Sequence, residues 1–249
     1  NMEKNGAKNE KNLSGGKLLV LQCDLGDLQS VKSFAQKVIE ARYRVNLLIN
    51  NAGVMLPPLE LTKQGFETQF GSNFLAHFLL THLMLDTLNR NGPSRIINVS
   101  SAAHWNGVID WSNISPRSVH DYDPCFGYMQ SKVCQIMSTY KFHRHLEERS
   151  MSRNVTVNVL HPGIISSNIS TNLPAWATFL QNLLVKRHSL NTFQGAIATL
   201  YLALSPEVDE VSGQYFARCM PVRSNAVSYD VAQQDRLWKI SMEMIKDFL

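Results

Sequence analysis

The phenol of Tyr128 and the ammonium of Lys132 stand four residues apart in the helically patterned stretch Tyr128-Met129-Gln130-Ser131-Lys132. Four residues is just over one helical turn, so both side chains project from the same face, while Ser131 lies off it. A free phenol, with a pKa of about 10, accepts a proton poorly at neutral pH. A cation on the same face favours the phenolate and lowers that value. The pair predicts proton transfer at a hydroxyl or carbonyl oxygen, with Tyr128 as the acid/base and Lys132 tuning it. Alone, the spacing is unspecific; its specificity comes from what precedes it, Asn50-Asn51-Ala52-Gly53 and Ser100-Ser101.

The elements that must position these groups can be read from the pattern. Strand-like runs alternate with helical ones: 17–23 then 28–42, 45–49 then 65–89, 95–99 then 128–148, 155–160 then 193–204, and finally 213–217 then 231–245. Repeated βα units predict an α/β fold of Rossmann-like, doubly wound type, a mostly parallel sheet with helices on both faces. Ligands of such sheets bind outside the carboxyl ends of the strands. The residues at those ends are Asp24-Leu25, Asn50-Asn51-Ala52-Gly53, Ser100-Ser101 and His161-Pro162-Gly163, each built from types that also favour plain turns. Four such ends, followed by the Tyr128/Lys132 pair on the next helix, point to one site along a single sheet edge.

These motifs resemble the short-chain dehydrogenase/reductase family, and the resemblance runs from about Gly16 to the end. It is carried by Asn-Asn-Ala-Gly after a strand, Asn73 in a helix, Ser101, Tyr128 and Lys132, and Pro162-Gly163 followed by Ser167. Within the family the resemblance is strongest to its X-linked member, and the His-Phe-Leu-Leu-Thr phrase at His77 to Thr81 and the long stretch between Ser101 and Tyr128 are shared with near relatives, the retinol dehydrogenases and the WW-domain-containing oxidoreductase. The resemblance implies an NADP- or NAD-dependent oxidoreductase for a lipophilic alcohol and its aldehyde or ketone, retinoid- or polyprenoid-like. It gives catalytic roles to Asn73, Ser101, Tyr128 and Lys132. Ser101 would orient substrate, leaving Ser100 structural; Asn73 would hold a water that links Lys132 to solvent; Lys132 would also hold the nicotinamide ribose. Asp24 and Leu25 would meet the adenine, while Asn50, Ala52, Gly53, Pro162, Gly163 and Ser167 would line the rest of the cofactor. Ala102, Ala103, Ile109, Trp111, Trp176, Phe179 and Leu183 are candidates for an apolar substrate pocket or for core packing.

The family pattern opens with a strand, a Gly-rich Thr-Gly-x-x-x-Gly-Ile-Gly loop, a helix and a second strand, and none of these precedes Lys17. The expectation is therefore a single domain lacking its first strand–helix–strand–helix, with residues 1–16 as a loop or residual helix end. Unpaired sheet edges and exposed apolar surface should follow. A second reading is a catalytically silent scaffold with an interaction role.

Composition narrows the classes. The 249 residues are 44% hydrophobic and 18% charged, with a net charge of +4, enough apolar material for one full core. Lys4, Lys8, Lys11 and Lys17 lie in a Gly/Asn-rich stretch without aromatics, a solvated loop rather than a nucleic-acid arm. Cys23, Cys125, Cys134 and Cys219 form no C-x-x-C pair, which suggests free thiols in a reducing intracellular compartment and no metal. By resemblance that compartment is the cytoplasm or the cytosolic face of the endoplasmic reticulum or lipid droplets. No apolar run reaches the roughly 18 residues of a membrane span. Peripheral membrane contact stays compatible, with residues 176–185 reading as an amphipathic helix. Oligomeric state is not encoded legibly.

Overall fold

The computed structural model of the chain describes residues 11–13, 16–163 and 192–249. Its central feature is a five-stranded sheet in the order β3-β4-β5-β6-β7, formed by Leu47–Asn50, Ser94–Val99, Val155–His161, Tyr215–Ala217 and Met220–Pro221. The first four strands are parallel and only β7 turns back against β6. This is the predicted doubly wound arrangement, and alternation along β4 displays its cause. Ile96 faces one core cluster and Ile97 and Val99 face another, because successive side chains of a strand point to opposite faces.

Four long helices cover those faces: α1 (Leu28–Glu40), α2 (Ala76–Asn91), α3 (Pro124–Glu148) and α5 (Val231–Ile245) share the cluster that contains Ile96, Val155 and Val157. The helix α4 (Thr192–Leu204) packs Ala198, Leu202 and Ala203 on Ile97, Val99 and Leu160 of the other face. Helix starts follow local chemistry. Asp27, Asp123 and Asp230 accept backbone N–H groups from Gln29, Phe126 and Gln233 at 2.9, 2.8 and 3.1 Å, satisfying donors that the first helical turn leaves unpaired. Proline at the first position of α3 suits the same place, since its missing N–H would have no partner there.

Three sequence expectations change. Residues 17–23 do not enter the sheet: β2 (Gly16–Leu18) pairs antiparallel with β1 (Lys11–Leu13), and the chain from residue 19 to Asp24 runs without a ladder. An apolar run becomes a strand only by pairing, and here Leu18, Leu19 and Val20 are 44%, 40% and 61% exposed. Among the described residues no strand pairs with the outer edge of β3. Residues 11–13 are strand rather than loop or helix end. The expected helix over 65–89 is two elements, a π-helical segment Gln69–Leu75 that runs directly into α2. The predicted amphipathic helix at 176–185 lies outside the described residues.

Candidate active site

Asn73 sits inside the π-helical segment, a backbone form that is rare and tends to occur at functional sites. Its side chain is wholly buried and committed to the loop after β3: Oδ1 accepts from the Val54 N–H at 2.8 Å and Nδ2 donates to the Val54 carbonyl at 2.9 Å. That pairing brings Gly53 so close that a Cβ there would lie 2.9 Å from Asn73 Oδ1 and 3.8 Å from Lys132 Nζ. Only glycine permits this approach. Asn51, Ala52 and Gly53 are exposed at the end of β3.

From the next strand comes Ser101, whose hydroxyl caps a short 3-10 helix (Ala102–Asn106) by accepting from Ala103 N–H at 3.2 Å. The loop that follows is pinned by Asn225, whose side-chain amide donates to the carbonyls of His104, Trp105 and Gly107 at 2.9, 3.0 and 2.9 Å. Ser100 instead donates to the Lys132 carbonyl at 2.9 Å, tying β4 to α3. Tyr128 reaches in from α3, 8% exposed, and the Ser101 side chain faces its hydroxyl. One turn along, Lys132 is 4% exposed, its ammonium 5.6 Å from the Tyr128 ring centre. The fold thus gathers Asn73, Ser101, Tyr128, Lys132 and Gly53 from four separate segments.

The electrostatics differ from the simple pair read in sequence. Burial raises the Tyr128 pKa, with the nearby Ser101 side chain pulling the other way. Burial also depresses the Lys132 ammonium to about 8, because it disfavours the charged form. The ammonium donates to the Val99 carbonyl and to Gln135 Oε1, both at 3.1 Å. Asn73, expected to hold a water, has a backbone carbonyl that accepts from His77 Nδ1 at 3.0 Å and from Gln135 Nε2 at 2.7 Å. Nor is Ser131 off the shared surface: it is buried, accepts from Asn73 Nδ2 at 3.2 Å and donates to the Tyr128 carbonyl at 2.8 Å.

Among the expected cofactor residues, Asn50 turns inward. It is 2% exposed, and its amide donates to Asn98 Oδ1 at 2.8 Å and Thr81 Oγ1 at 3.0 Å, so its side chain holds β3, β4 and α2 together. Asp24 is exposed and closes a turn on the Gly26 N–H at 2.8 Å, while Leu25 packs against the core. Pro162 and Gly163 are half-buried just past β5, Gly163 in the left-handed region at φ +93° that glycine adopts freely. Ser167, Trp176, Phe179 and Leu183 lie outside the described residues. Of the pocket candidates, Ile109 is 8% exposed in the core and Trp111 packs against it beneath Arg236, whereas Ala102 and Ala103 stay half-buried beside Ser101. Gln135 and His77 were not singled out from the sequence. Their spacing, three residues after Lys132 and four after Asn73, was the available signal, since it places each on the face of a site residue.

Residues 1–116 match the family model described as short chain dehydrogenase. Retinol dehydrogenase 14 of Mus musculus is 40% identical over 232 residues, covering 92% of this chain and 68% of the relative. Polyprenol dehydrogenase of Homo sapiens is 36% identical, covering 92% of this chain and 69% of its own length. Among solved structures, a 7α-hydroxysteroid dehydrogenase complexed with NADH and 7-oxo glycochenodeoxycholic acid superposes with a TM-score of 0.61 at 23% identity, over 81% of this chain and 73% of that one. At that identity the likeness speaks for the fold alone. With a relative 40% identical across most of both chains, and the fold to match, this chain belongs to the short-chain dehydrogenase/reductase family of oxidoreductases.

Proposed function

We propose that this chain interconverts a lipophilic alcohol, retinoid- or polyprenoid-like, and its aldehyde or ketone, using NADP or NAD. The observation that carries the reading is the convergence of the Ser101 and Tyr128 side chains with Lys132 beside them, where β3, β4 and β5 end. The residues present fit a nicotinamide nucleotide: the exposed backbone of 51–53 lies beside Lys132, and the turn at Pro162-Gly163 lies at the end of the strand two places along. Asp24 and Leu25 are the candidates for the adenine end. When bound, the nicotinamide accepts or delivers the hydride at the substrate carbon.

The chain's own residues handle the oxygen. Tyr128 takes the alcohol proton in oxidation and returns one to the carbonyl oxygen in reduction. Ser101 donates to the same oxygen and orients it. Lys132 supplies the positive charge that eases formation of the phenolate. A long apolar alcohol is supported by the names of the relatives, a retinol and a polyprenol dehydrogenase. Among the described residues no helix is long and apolar enough to cross a membrane.

The test is fluorescence titration with NADPH and NADH, followed by turnover of retinol and of a polyprenol with each oxidised nucleotide. Saturable binding and turnover are expected. A folded chain that binds neither nucleotide would favour the silent-scaffold alternative.

A further inference from the structure

We infer that Gln135 is a positioning residue for Lys132: its side-chain amide ties the buried ammonium to the Asn73 carbonyl and thereby sets how tightly Lys132 holds its proton. The inference rests on the acid/base reading of Tyr128 and Lys132 given above.

Geometry fixes the amide in one orientation. Oε1 accepts from Lys132 Nζ at 3.1 Å, and Nε2 donates to the Asn73 carbonyl at 2.7 Å. Flipped, the amide would set N–H against an ammonium and oxygen against a carbonyl, so both ends enforce the same choice. Its anchor is itself rigid: the Asn73 carbonyl also accepts from His77, and the Asn73 side chain is clamped to both polar groups of the Val54 backbone. The chain Lys132–Gln135–Asn73 therefore joins α3 to the π-helical turn and, through Val54, to the loop bearing Gly53.

The ammonium depends on this link because no anion faces it among the described residues. Tyr128 on its own helix and His77 at the start of α2 are the titratable groups facing it, and His77 is held neutral by burial. No carboxylate pairs with Lys132 among the described residues. Its charge is met by two neutral acceptors, the Val99 carbonyl and Gln135 Oε1, so losing one removes half of that support. Hydrogen bonds to charged groups are worth enough to change a proton affinity by about tenfold. Behind the amide, a cavity of about 10 Å³ bordered by His77, Thr81, Asn98 and Ser138 leaves no spare room, so length-conserving variants are the informative ones.

The experiment is carbon-13 NMR titration of the lysine Cε resonances in the full chain, with Lys132 assigned by loss of its signal in Lys132→Met. Gln135→Met, which keeps length but offers no acceptor, should weaken the proton affinity of Lys132 about tenfold. Gln135→Glu should strengthen it by at least as much. With retinol and NADP, Gln135→Met should lower kcat while leaving KM for the alcohol close to that of the parent. An identical Lys132 titration in the parent and both variants would overturn the assignment. Should Gln135→Met fail to fold, Gln135→Glu alone decides, and an unchanged Lys132 in it is equally fatal. Tyr128→Phe in the same series separates the two ideas: full turnover there removes the acid/base reading, while the Lys132 titration still judges Gln135.

Discussion

Tyr128 is the side chain on which the chemistry depends most. Tyr128→Phe removes one oxygen and leaves the ring to pack, and loss of an acid/base typically costs on the order of 10²–10⁴ in rate. Nucleotide-linked turnover should fall by that range. Ser131 contacts both Asn73 and the Tyr128 carbonyl, so it is no neutral comparison; Cys125→Ser, exposed at the start of the same helix, should leave the rate unchanged. Because burial raises the Tyr128 pKa, its phenolate is scarce at neutral pH. Alcohol oxidation, which needs the phenolate, should therefore climb toward alkaline pH, and carbonyl reduction, which needs the phenol, should decline there. Initial rates in both directions across about pH 6–10, a span that approaches the raised phenol pKa from below, would check the sign. A rate of oxidation falling with rising pH would contradict it.

At the scale of elements, the loop after β4 decides whether Ser101 meets Tyr128. Asn225, far along the chain, supplies N–H donors to three of that loop's carbonyls. Asn225→Ala should cost about 0.5–1.5 kcal/mol of stability, since the carbonyls lose a half-buried donor. Asn225→Asp, similar in shape but without an N–H to give, should cost at least as much. Urea unfolding would measure the loss, and kcat/KM should fall with it as Ser101 loses its fixed place. The π-helical turn has a comparable role for Asn73. Gly53→Ala would push a methyl to within 2.9 Å of Asn73 Oδ1, so weaker nucleotide binding is expected, read by the same fluorescence titration.

For the whole molecule, buried and half-buried histidines set the acid limit. His77, His82 and His161 are each depressed to about 4 by burial. Unfolded, they would take up a proton near pH 6.5. Their neutral burial therefore favours the fold fully above about pH 6.5, and this contribution is lost as pH falls from there toward about 4. The urea midpoint should drop between neutral pH and the acid end of that window. His82, packed between Phe78, Phe142 and Trp238 with Nε2 lacking a partner, is the residue to change: His82→Phe should flatten the drop. Surface apolarity has its own consequence. Leu47 and Ile49 on β3 are 38% and 41% exposed, and Phe193, Ile197, Leu200 and Leu204 line one face of α4 with exposures of 45–73%. Such a surface promotes association. Light scattering should register aggregation at lower concentration in the parent than in Leu200→Glu/Leu204→Lys.

The sequence by itself determined the βα alternation, the strand ends and the Tyr128/Lys132 face, because period-2 and period-3.6 patterns are local and survive without a fold. Only the family resemblance, not any local pattern, distinguished Ser100 from Ser101. What the sequence could not determine is which neighbours each element finds. The apolar run at 17–23 reads as a strand, but a strand exists only through its partner. Asn50 reads as a cofactor residue, but its amide is consumed by Asn98 and Thr81, 48 and 31 positions away. Tyr128 and Lys132 read as a pair in which charge lowers the phenol pKa, but burial, a property of the packed molecule, raises the one and lowers the other. Tertiary structure alone placed Gln135 between Lys132 and Asn73, since the two ends of that link lie on elements separated by a full strand and a long loop. Spacing fixes which side chains share a face; only packing decides what that face meets.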